Sequence, residues 1–216
     1  MARSRATDSD SLLTAAAAVF ETKGYRNATI DDIAEAAGVS RPTVYKYTQS
    51  KRALLDGMVD TVLDRVATRL GEVLASAAPP ADKVRAIVDI HVDSATHMHA
   101  FYAILFSEQA ELSDATRARF HAFSHDVAKD FQALLDECVA AARLTRPPVD
   151  TWIAANLALS MLTSLYRWYD PRGATSPEEL REQVMLLLAG VVPRSTRRAG
   201  SGSVDRARPV RPEAGP

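Results

Sequence analysis

Two short helices joined by a tight turn are predicted within residues 28–51, which read ATIDDIAEAAGVSRPTVYKYTQSK. Thr29 followed three residues later by an aspartate is the pattern of a capping box, which satisfies free amides at the start of a helix. Gly38 can leave that helix in the left-handed backbone conformation. Ser40 is a good N-cap for a second helix, and Pro42 is tolerated in its first turn. This spacing predicts a helix-turn-helix.

The second helix of this pair carries a dense set of hydrogen-bond donors. Arginine can fork onto guanine edges, whereas lysine and hydroxyl groups can hold phosphates. Ser50 caps the helix that follows, whose free amides and Lys51 form a phosphate site. The alternative is a structural hairpin with a solvated polar face, which leaves two tyrosines unexplained. The donors expected to face DNA are Arg41, Thr43, Tyr45, Lys46 and Tyr47.

The N-terminal part of the chain, here called the head, matches a family pattern at many positions. These are Ala16, Ala17, Phe20, Gly24, Tyr25, 28–30, Ile33, Ala34, 37–40, 43–45, Tyr47, Ser50, Lys51 and Leu54. Through them the head resembles the TetR family of bacterial transcription regulators. Thr48 departs from the pattern, because the family usually has a phenylalanine that closes the recognition helix onto the core. The resemblance implies a DNA-binding set in which Arg41 and Lys46 read bases, Ser40 opens the recognition helix, and the phosphates are held by Thr29, Thr43, Tyr45, Tyr47 and Lys51.

Charge divides the chain into three parts. Residues 1–52 carry eight Lys/Arg and six Asp/Glu, residues 53–192 carry twelve and nineteen, and residues 193–216 carry six and two. A mildly basic head on an acidic body fits a nucleic-acid contact at one end of the molecule. We predict a DNA-binding domain over 1–52, a helical ligand-binding and dimerisation domain over 53–192, and a disordered basic tail over 193–216.

The composition predicts an all-α protein. The 216 residues include 37 alanines and only 9 glycines, and alanine has the highest intrinsic helix propensity. Apolar residues recur at helical spacing, and no two-residue period indicates a strand. Glycine and proline breaks predict about nine helices, near residues 9–23, 30–37, 41–47, 51–76, 81–97, 100–109, 113–142, 149–169 and 177–191.

Several function classes receive no support from the sequence. No apolar stretch reaches the length needed to span a membrane, and the polar start lacks a secretory signal, so we expect a cytoplasmic protein. Cys138 is the single cysteine, and it has no histidine near it in sequence. His97 and His99 point in different directions on a helix, which argues against a metal site. With no P-loop, nucleophile elbow or dinucleotide motif, we predict neither an enzyme nor a cofactor.

A homodimer is implied by the TetR resemblance, because each head reads one half of a palindromic operator. The last two helices normally form that interface in the family. Each predicted helix carries an apolar stripe, although a stripe of this kind is often plain core. The interface residues predicted here are Leu159, Leu162, Leu180, Val184, Leu187 and Leu188.

A small-molecule pocket is expected in the body, where aromatic residues mix with isolated polar groups. Residues 164–173, SLYRWYDPRG, are similar to a segment of TetR members that regulate fatty-acid or steroid breakdown and respond to acyl-coenzyme A. Arg167 or Arg172 could pair with the charged end of such an effector. The alternative is that these residues are core or close a helix corner. The predicted ligand-binding residues are His97, Phe101, Trp152, Asn156, Ser160, Ser164, Arg167 and Trp168.

The sequence therefore predicts a ligand-responsive transcriptional repressor whose dimer leaves its double-stranded operator when a small apolar effector, such as an acyl-CoA, binds the body. Coupling would run through the helix over residues 51–76, which touches both domains. Two other classes stay open. One is a ligand-blind DNA-binding regulator or activator, and the other is a helical protein-interaction module.

Overall fold

The computed structural model describes residues 9–142 and 149–190, and within these ranges all regular structure is helical. This confirms the predicted all-α class. The predicted tail over 193–216 lies outside the described residues. No helix in the described ranges is long and apolar enough to cross a membrane. The helices are α1 (Ser9–Lys23), α2 (Ile30–Ala36), α3 (Arg41–Tyr47), α4 (Lys51–Ala75), α5 (Pro80–His97), α6 (His99–Ser107), α7 (Asp114–Ala141), α8 (Thr151–Thr163) and α9 (Pro177–Leu187).

Helices α1 to α3 form the head, and the turn chemistry predicted for it is largely confirmed. Thr29 and Asp32 make a reciprocal capping box: the Thr29 amide donates to the Asp32 carboxylate at 2.9 Å, and the Asp32 amide donates to the Thr29 hydroxyl at 3.2 Å. Gly38 has φ of 66°, the left-handed conformation expected after α2. The prediction for Ser40 was wrong in one respect, because its hydroxyl caps no amide and instead lies 2.9 Å from the Thr43 hydroxyl.

The corner where the sequence departs from the family pattern is closed by a hydrogen bond. Thr48 is 7% exposed, and its hydroxyl donates to the Ser50 carbonyl oxygen at 3.0 Å. A small polar side chain can thus occupy a buried position because its polar atom is satisfied. Val44, the inward residue of α3, is fully buried in the same core.

The long helix α4 joins the head to the body. Leu54 and Leu55 are buried near its start, and the same helix packs against α1, α5, α6 and α7. Helix α6 also contacts both α1 and α4. Polar links add to this packing: Asp56 accepts from the Ser113 amide at 3.0 Å, and Arg26 pairs with Glu111 at 3.3 Å.

A charged cluster ties α9 to the body. Asp93 on α5 pairs with Arg69 of α4 at 2.9 Å and also with Arg181 of α9. The Arg181 and Asp93 side chains are 20% and 29% exposed, so this cluster is partly shielded from solvent. It positions α9 beside α5, with which α9 packs along its length.

The predicted dimer stripe proved to be mainly an intramolecular one. Leu180, Val184 and Leu188 are each at most 7% exposed within one chain, and Leu162 of α8 is fully buried. A side chain that is buried against its own body has little surface to offer a partner, and the interface role of these four residues stays a prediction. Leu159 is half-buried. The apolar residues that remain exposed on α8 and α9 are Trp152, Ile153, Leu157, Leu186 and Leu187.

The long helix predicted over 149–169 ends earlier than expected. Helix α8 stops at Thr163, and a short 3-10 segment follows over Ser164–Arg167. The apolar pattern continues through both segments, with Leu162 and Leu165 fully buried. The periodicity of burial could not reveal the tighter winding, because a single turn of 3-10 helix shifts the buried face only slightly.

Candidate nucleic-acid interface and ligand cavity

Helix α3 is held by its inner face and presents its donors outward. Val44 is fully buried, whereas Tyr45 and Tyr47 are 46% and 47% exposed. Arg41 and Lys46 are exposed as well. Four of the predicted DNA-binding side chains are therefore accessible on α3, and we call this group the α3 face: Arg41, Tyr45, Lys46 and Tyr47.

Arg41 has a partner within the head. Its Nη1 lies 3.0 Å from the Asp31 carboxylate, and its guanidinium lies 5.8 Å from the centre of the Tyr45 ring. Both members of the ion pair are more than half exposed, so the pair is weak. A guanine edge could therefore replace the carboxylate at little cost.

The two threonines expected to hold phosphates have local partners. The Thr29 hydroxyl donates to the Asp32 carboxylate at 2.8 Å, while Thr43 pairs with Ser40. Hydrogen bonds from Lys23 and Thr29 lower the pKa of Asp32 to about 2. Thr29 thus has its donor engaged by an ionised carboxylate, and a phosphate contact there would have to use a different donor or displace this bond.

Lys51 lies in a structural position rather than at an open phosphate site. Its ammonium donates to the carbonyl oxygens of Tyr25 at 2.6 Å, Ala28 at 2.9 Å and Arg26 at 3.1 Å. It also lies 4.5 Å from the centre of the Tyr25 ring. An ammonium has three donors, so all of them are used to hold the loop between α1 and α2. Ser50 nevertheless caps α4 as predicted, by accepting from the Ala53 amide at 3.1 Å.

The body contains a cavity of about 210 Å³, the central cavity, between α4, α5, α6, α7 and α8. Asn156 and Ser160 lie in its wall, as the sequence predicted. Apolar side chains make up most of the rest of the wall. They are Val62, Leu63, Val66, Leu105, Phe106, Phe120, Phe123, Val127, Ala128 and Leu159.

His91 is the unusual polar residue of the central cavity. It is 5% exposed, and neither ring nitrogen has a hydrogen-bond partner. Burial lowers its pKa to about 4, so the imidazole is neutral at physiological pH. It therefore offers one donor and one acceptor to whatever occupies the cavity.

A second depression, the corner cleft, lies where the 3-10 segment after α8 turns back. It has a volume of about 590 Å³ and contains Arg167, Trp168 and Arg172. Trp168 is 62% exposed, and Arg167 donates to the Tyr166 hydroxyl at 2.9 Å. Two of the predicted ligand residues, Arg167 and Trp168, are thus brought together here, apart from Asn156 and Ser160.

The two depressions share a wall. Phe106 lines the central cavity and Tyr166 lines the corner cleft, and their rings stack with centres 5.4 Å apart and planes 11° apart. This aromatic pair separates a largely apolar space from an exposed charged one, where Arg167 and Arg172 lie beside Glu21 and Asp170. The arrangement suits a ligand with one apolar end and one anionic end.

Four predicted ligand residues lie outside both depressions. His97 is exposed, with Nδ1 3.0 Å from the Asp93 carbonyl oxygen, and Trp152 is 60% exposed on the outer side of α8. The Ser164 hydroxyl donates to the Met161 carbonyl oxygen at 2.8 Å, and Phe101 is packed against the core. The row of Asn156, Ser160 and Ser164 leaves the cavity face at its end, because residues four apart drift by roughly 40° at each step around a helix. The ligand-binding role of His97, Phe101, Trp152 and Ser164 stays a prediction.

The wall residues contributed by α7 were missed. Phe120, Phe123 and Ser124 face the central cavity, but in sequence they belong to an ordinary amphipathic helix and carried no distinguishing signal. His91 is one of the isolated polar groups of the region in which a pocket was expected, but it was not among the predicted ligand-binding residues. Within residues 9–142 and 149–190, no three His, Cys, Asp or Glu side chains are grouped so as to hold a metal ion.

Comparisons with known proteins point to one family. The family description "Bacterial regulatory proteins, tetR family" matches residues 12–58, and "Tetracyclin repressor-like, C-terminal domain" matches residues 77–192. The HTH-type transcriptional repressor KstR2 of Mycolicibacterium smegmatis is 27% identical over 187 residues, which cover 86% of this chain and 91% of the relative.

Two solved structures have a similar fold. The ketosteroid transcriptional regulator KstR2 of Mycobacterium tuberculosis is 23% identical, with a TM-score of 0.78 over 88% of this chain and 97% of that one. AibR in complex with isovaleryl coenzyme A and operator DNA is also 23% identical, with a TM-score of 0.71 over 82% of this chain and 96% of that one. The arrangement of helices in these regulators is therefore that of the present chain.

Proposed function

Because the chain belongs to the TetR family of bacterial regulatory proteins, we propose that it is a ligand-responsive transcriptional repressor that binds a palindromic operator as a homodimer. The observation that carries this proposal is the α3 face, where exposed Arg41, Tyr45, Lys46 and Tyr47 surround a helix anchored by buried Val44. A helix of this kind fits the major groove, where an arginine fork reads guanine and phenol groups contact phosphates.

A homodimer is supported by the apolar surface left on α8 and α9. Leu187 is 73% exposed, Leu157 is 64% exposed and Trp152 is 60% exposed. Large apolar side chains concentrated on two helices mark an interface. A two-fold pairing through them would present two recognition helices about 34–36 Å apart, the spacing of successive major grooves on one side of DNA.

The effector proposed here is an acyl-coenzyme A. Its acyl part would occupy the central cavity, and its phosphates would pair with Arg167 and, in place of Asp170, with Arg172 in the corner cleft. The Phe106–Tyr166 stack separates the two spaces, so an effector that spans both would have to part these rings. The fold shared with AibR, which has been solved with isovaleryl coenzyme A and operator DNA, supports this choice.

Coupling between ligand and DNA would run through two helices. Helix α4 carries Val62, Leu63 and Val66 into the cavity wall and begins directly after the head. Helix α6 places Phe106 in the same wall and packs against α1 of the head. An occupant that shifts either helix moves the head and changes the distance between the two recognition helices of the dimer.

The proposal is tested by recovering DNA from the source genome. Purified full-length protein is mixed with fragmented genomic DNA at physiological salt, and the retained fragments are sequenced. We expect an inverted repeat whose half-sites are about 10 base pairs apart from centre to centre. A Tyr45→Ala, Lys46→Ala double variant should retain none of these fragments. Retained fragments with no shared sequence would contradict the proposal.

A further inference from the structure

His91 is a polar group that the fold leaves unsatisfied. It lies on α5 among the side chains that line the central cavity, and both Nδ1 and Nε2 are buried without a hydrogen-bond partner. Almost all buried polar groups in folded proteins are hydrogen-bonded, since an unmade bond destabilises the folded state. An orphan imidazole facing a cavity therefore needs an explanation outside the chain itself.

Three other polar side chains of the cavity wall, by contrast, have a hydrogen-bond partner within their own helix. Asn156 donates to the Trp152 carbonyl oxygen at 2.8 Å, Ser124 to that of Phe120 at 2.9 Å, and Thr163 to that of Leu159 at 2.8 Å. Each of these side chains thus has its donor engaged by its own helix. His91 is left as the buried wall residue with both a donor and an acceptor available.

We propose that the central cavity takes an uncharged, largely apolar group bearing a carbonyl or hydroxyl oxygen, and that His91 recognises this group by hydrogen-bonding the oxygen. The inference rests on the proposed ligand response and specifies the part of the effector that enters the body. Since an engineered cavity of about 150 Å³ holds benzene, about 210 Å³ leaves room for roughly eight to ten non-hydrogen atoms. A compact ring system or a branched acyl group fits this size.

The charge of the wall excludes an ionised group from the cavity. None of the side chains that line it is a lysine, arginine, aspartate or glutamate. The imidazole carries no charge near neutral pH, because burial lowers its pKa to about 4. A carboxylate would therefore enter a largely apolar space without a counter-charge and lose part of its hydration, which is unfavourable although Ser124 and Ser160 of the wall are exposed. A thioester or ketone carries no charge and meets no such penalty.

The test compares three probes that each fit the volume of the cavity, by equilibrium dialysis against the full-length protein without DNA. The probes are 1-indanone, which has a carbonyl oxygen, indane, which has none, and phenylacetate, which is ionised. We expect 1-indanone to bind roughly tenfold more tightly than indane, as one hydrogen bond to an otherwise unpaired buried group allows. The carboxylate should bind more weakly than either.

Two variants test whether His91 causes the preference for 1-indanone over indane. In His91→Phe, which keeps a ring of similar shape, 1-indanone and indane should bind alike, with the affinity for indane retained. Thr68→Ala removes an exposed hydroxyl of α4 that lies outside the wall and should keep the preference for 1-indanone. Equal binding of 1-indanone and indane by the unaltered protein would overturn the inference, as would tight binding of the carboxylate or no binding of any probe.

The outcome is separable from that of the proposed function. The dialysis contains no DNA, so loss of the 1-indanone preference would leave operator binding intact and would remove only the role of His91. Failure to recover an operator would instead remove the regulatory function, while the cavity and its preference would remain measurable.

Discussion

Lys51 and Lys46 are both cations of the head, and the structure gives them different roles. Because Lys51 donates to three carbonyl oxygens of the loop after α1, Lys51→Met should lower the free energy of unfolding by about 1.5–3 kcal/mol, as for hydrogen bonds to a charged group. Lys46 is exposed on α3, so Lys46→Met should change the free energy of unfolding by less than about 0.5 kcal/mol. Urea unfolding followed by circular dichroism measures both values.

The same two variants should weaken DNA binding in different ways. Lys46→Met should lower affinity for the operator with an unchanged fold, whereas Lys51→Met should lower affinity for every duplex in proportion to the loss of folded head. If Lys51→Met left stability unchanged while abolishing DNA binding, Lys51 would be a phosphate contact, as the family resemblance implies.

To hydrogen-bond a base, the Arg41 guanidinium must leave the Asp31 carboxylate. Its guanidinium lies 3.0 Å from the Asp31 carboxylate in the free protein. Arg41→Ala should therefore relax the preference at one operator position, at a cost of about 1–3 kcal/mol. Asp31→Asn is the matched control and should leave affinity unchanged or raise it, since it removes a competing anion. Fluorescence anisotropy with single-base operator variants measures the preference, and equal losses at all positions would identify Arg41 as a phosphate contact instead.

His91 should make the protein acid-sensitive. Burial lowers its pKa to about 4 in the folded state, while the unfolded chain binds the proton near pH 6.5. The unfolded state therefore holds more protons between these values, and stability should fall as the pH drops from 6.5 to 4, by on the order of 3 kcal/mol in full. His91→Phe should lack this component. Thermal unfolding at a series of pH values measures the difference, and parallel curves for the two proteins would contradict it.

At the scale of single residues, the sequence predicted those features that depend only on residues close together in the chain. The capping box of Thr29 and the left-handed Gly38 depend on neighbours in sequence and were predicted correctly. The three carbonyl partners of Lys51 and the isolation of His91 depend on distant elements. No pattern within one helix could reveal them.

At the scale of helices, Asp93 of α5 links its own helix to α4 and α9. It pairs with Arg69 of α4 and Arg181 of α9, in partly shielded surroundings. Asp93→Ala would remove the partner of Arg69 and leave Arg181 with Asp89 and Glu178. It should lower the free energy of unfolding by about 1–2 kcal/mol, less than the loss from a fully buried pair. Glu182→Ala removes an exposed ion pair with Arg85 and should cost less than about 0.5 kcal/mol. Urea unfolding measures both values, and equal effects would contradict this account of α9.

The positions of the helices were predictable, but their partners were not. Most of the predicted helices lie within a few residues of the observed ones, because glycine, proline and caps mark their ends. The apolar stripe of α9 is buried at Leu180 and Val184, and α9 packs against α5 of the same chain, whereas Leu187 of that stripe is 73% exposed. Hydrophobic periodicity shows that a face is covered without showing what covers it.

At the scale of the whole molecule, the dimer should depend on residues that one chain leaves exposed. Leu187→Glu places a charge on a side chain that is 73% exposed in the protomer. In a two-fold interface the change occurs twice, so the dimer dissociation constant should rise by roughly a hundredfold or more. Ala67→Glu, on the exposed face of α4, is the control and should have no effect. Sedimentation velocity at micromolar concentration measures the change, and an unaltered dimer would exclude Leu187 from the interface.

The domain boundaries at residues 52 and 192 remain predictions. Helix α4 begins beside the first of them and packs on both head and body, so the fold itself shows no gap there. The second boundary lies outside the described residues. The charge distribution and the family pattern suggested these boundaries. Limited proteolysis would show whether the chain is cut preferentially at them.

The measurement that bears most directly on this account is a fluorescence-anisotropy titration of the protein with the intergenic duplex beside its own gene and with a scrambled duplex, at physiological salt. The account predicts preferential binding to the intergenic duplex, with two protomers or a multiple of two per site, and release when an acyl-CoA is added. Equal weak binding to both duplexes, unchanged by acyl-CoA, would contradict it.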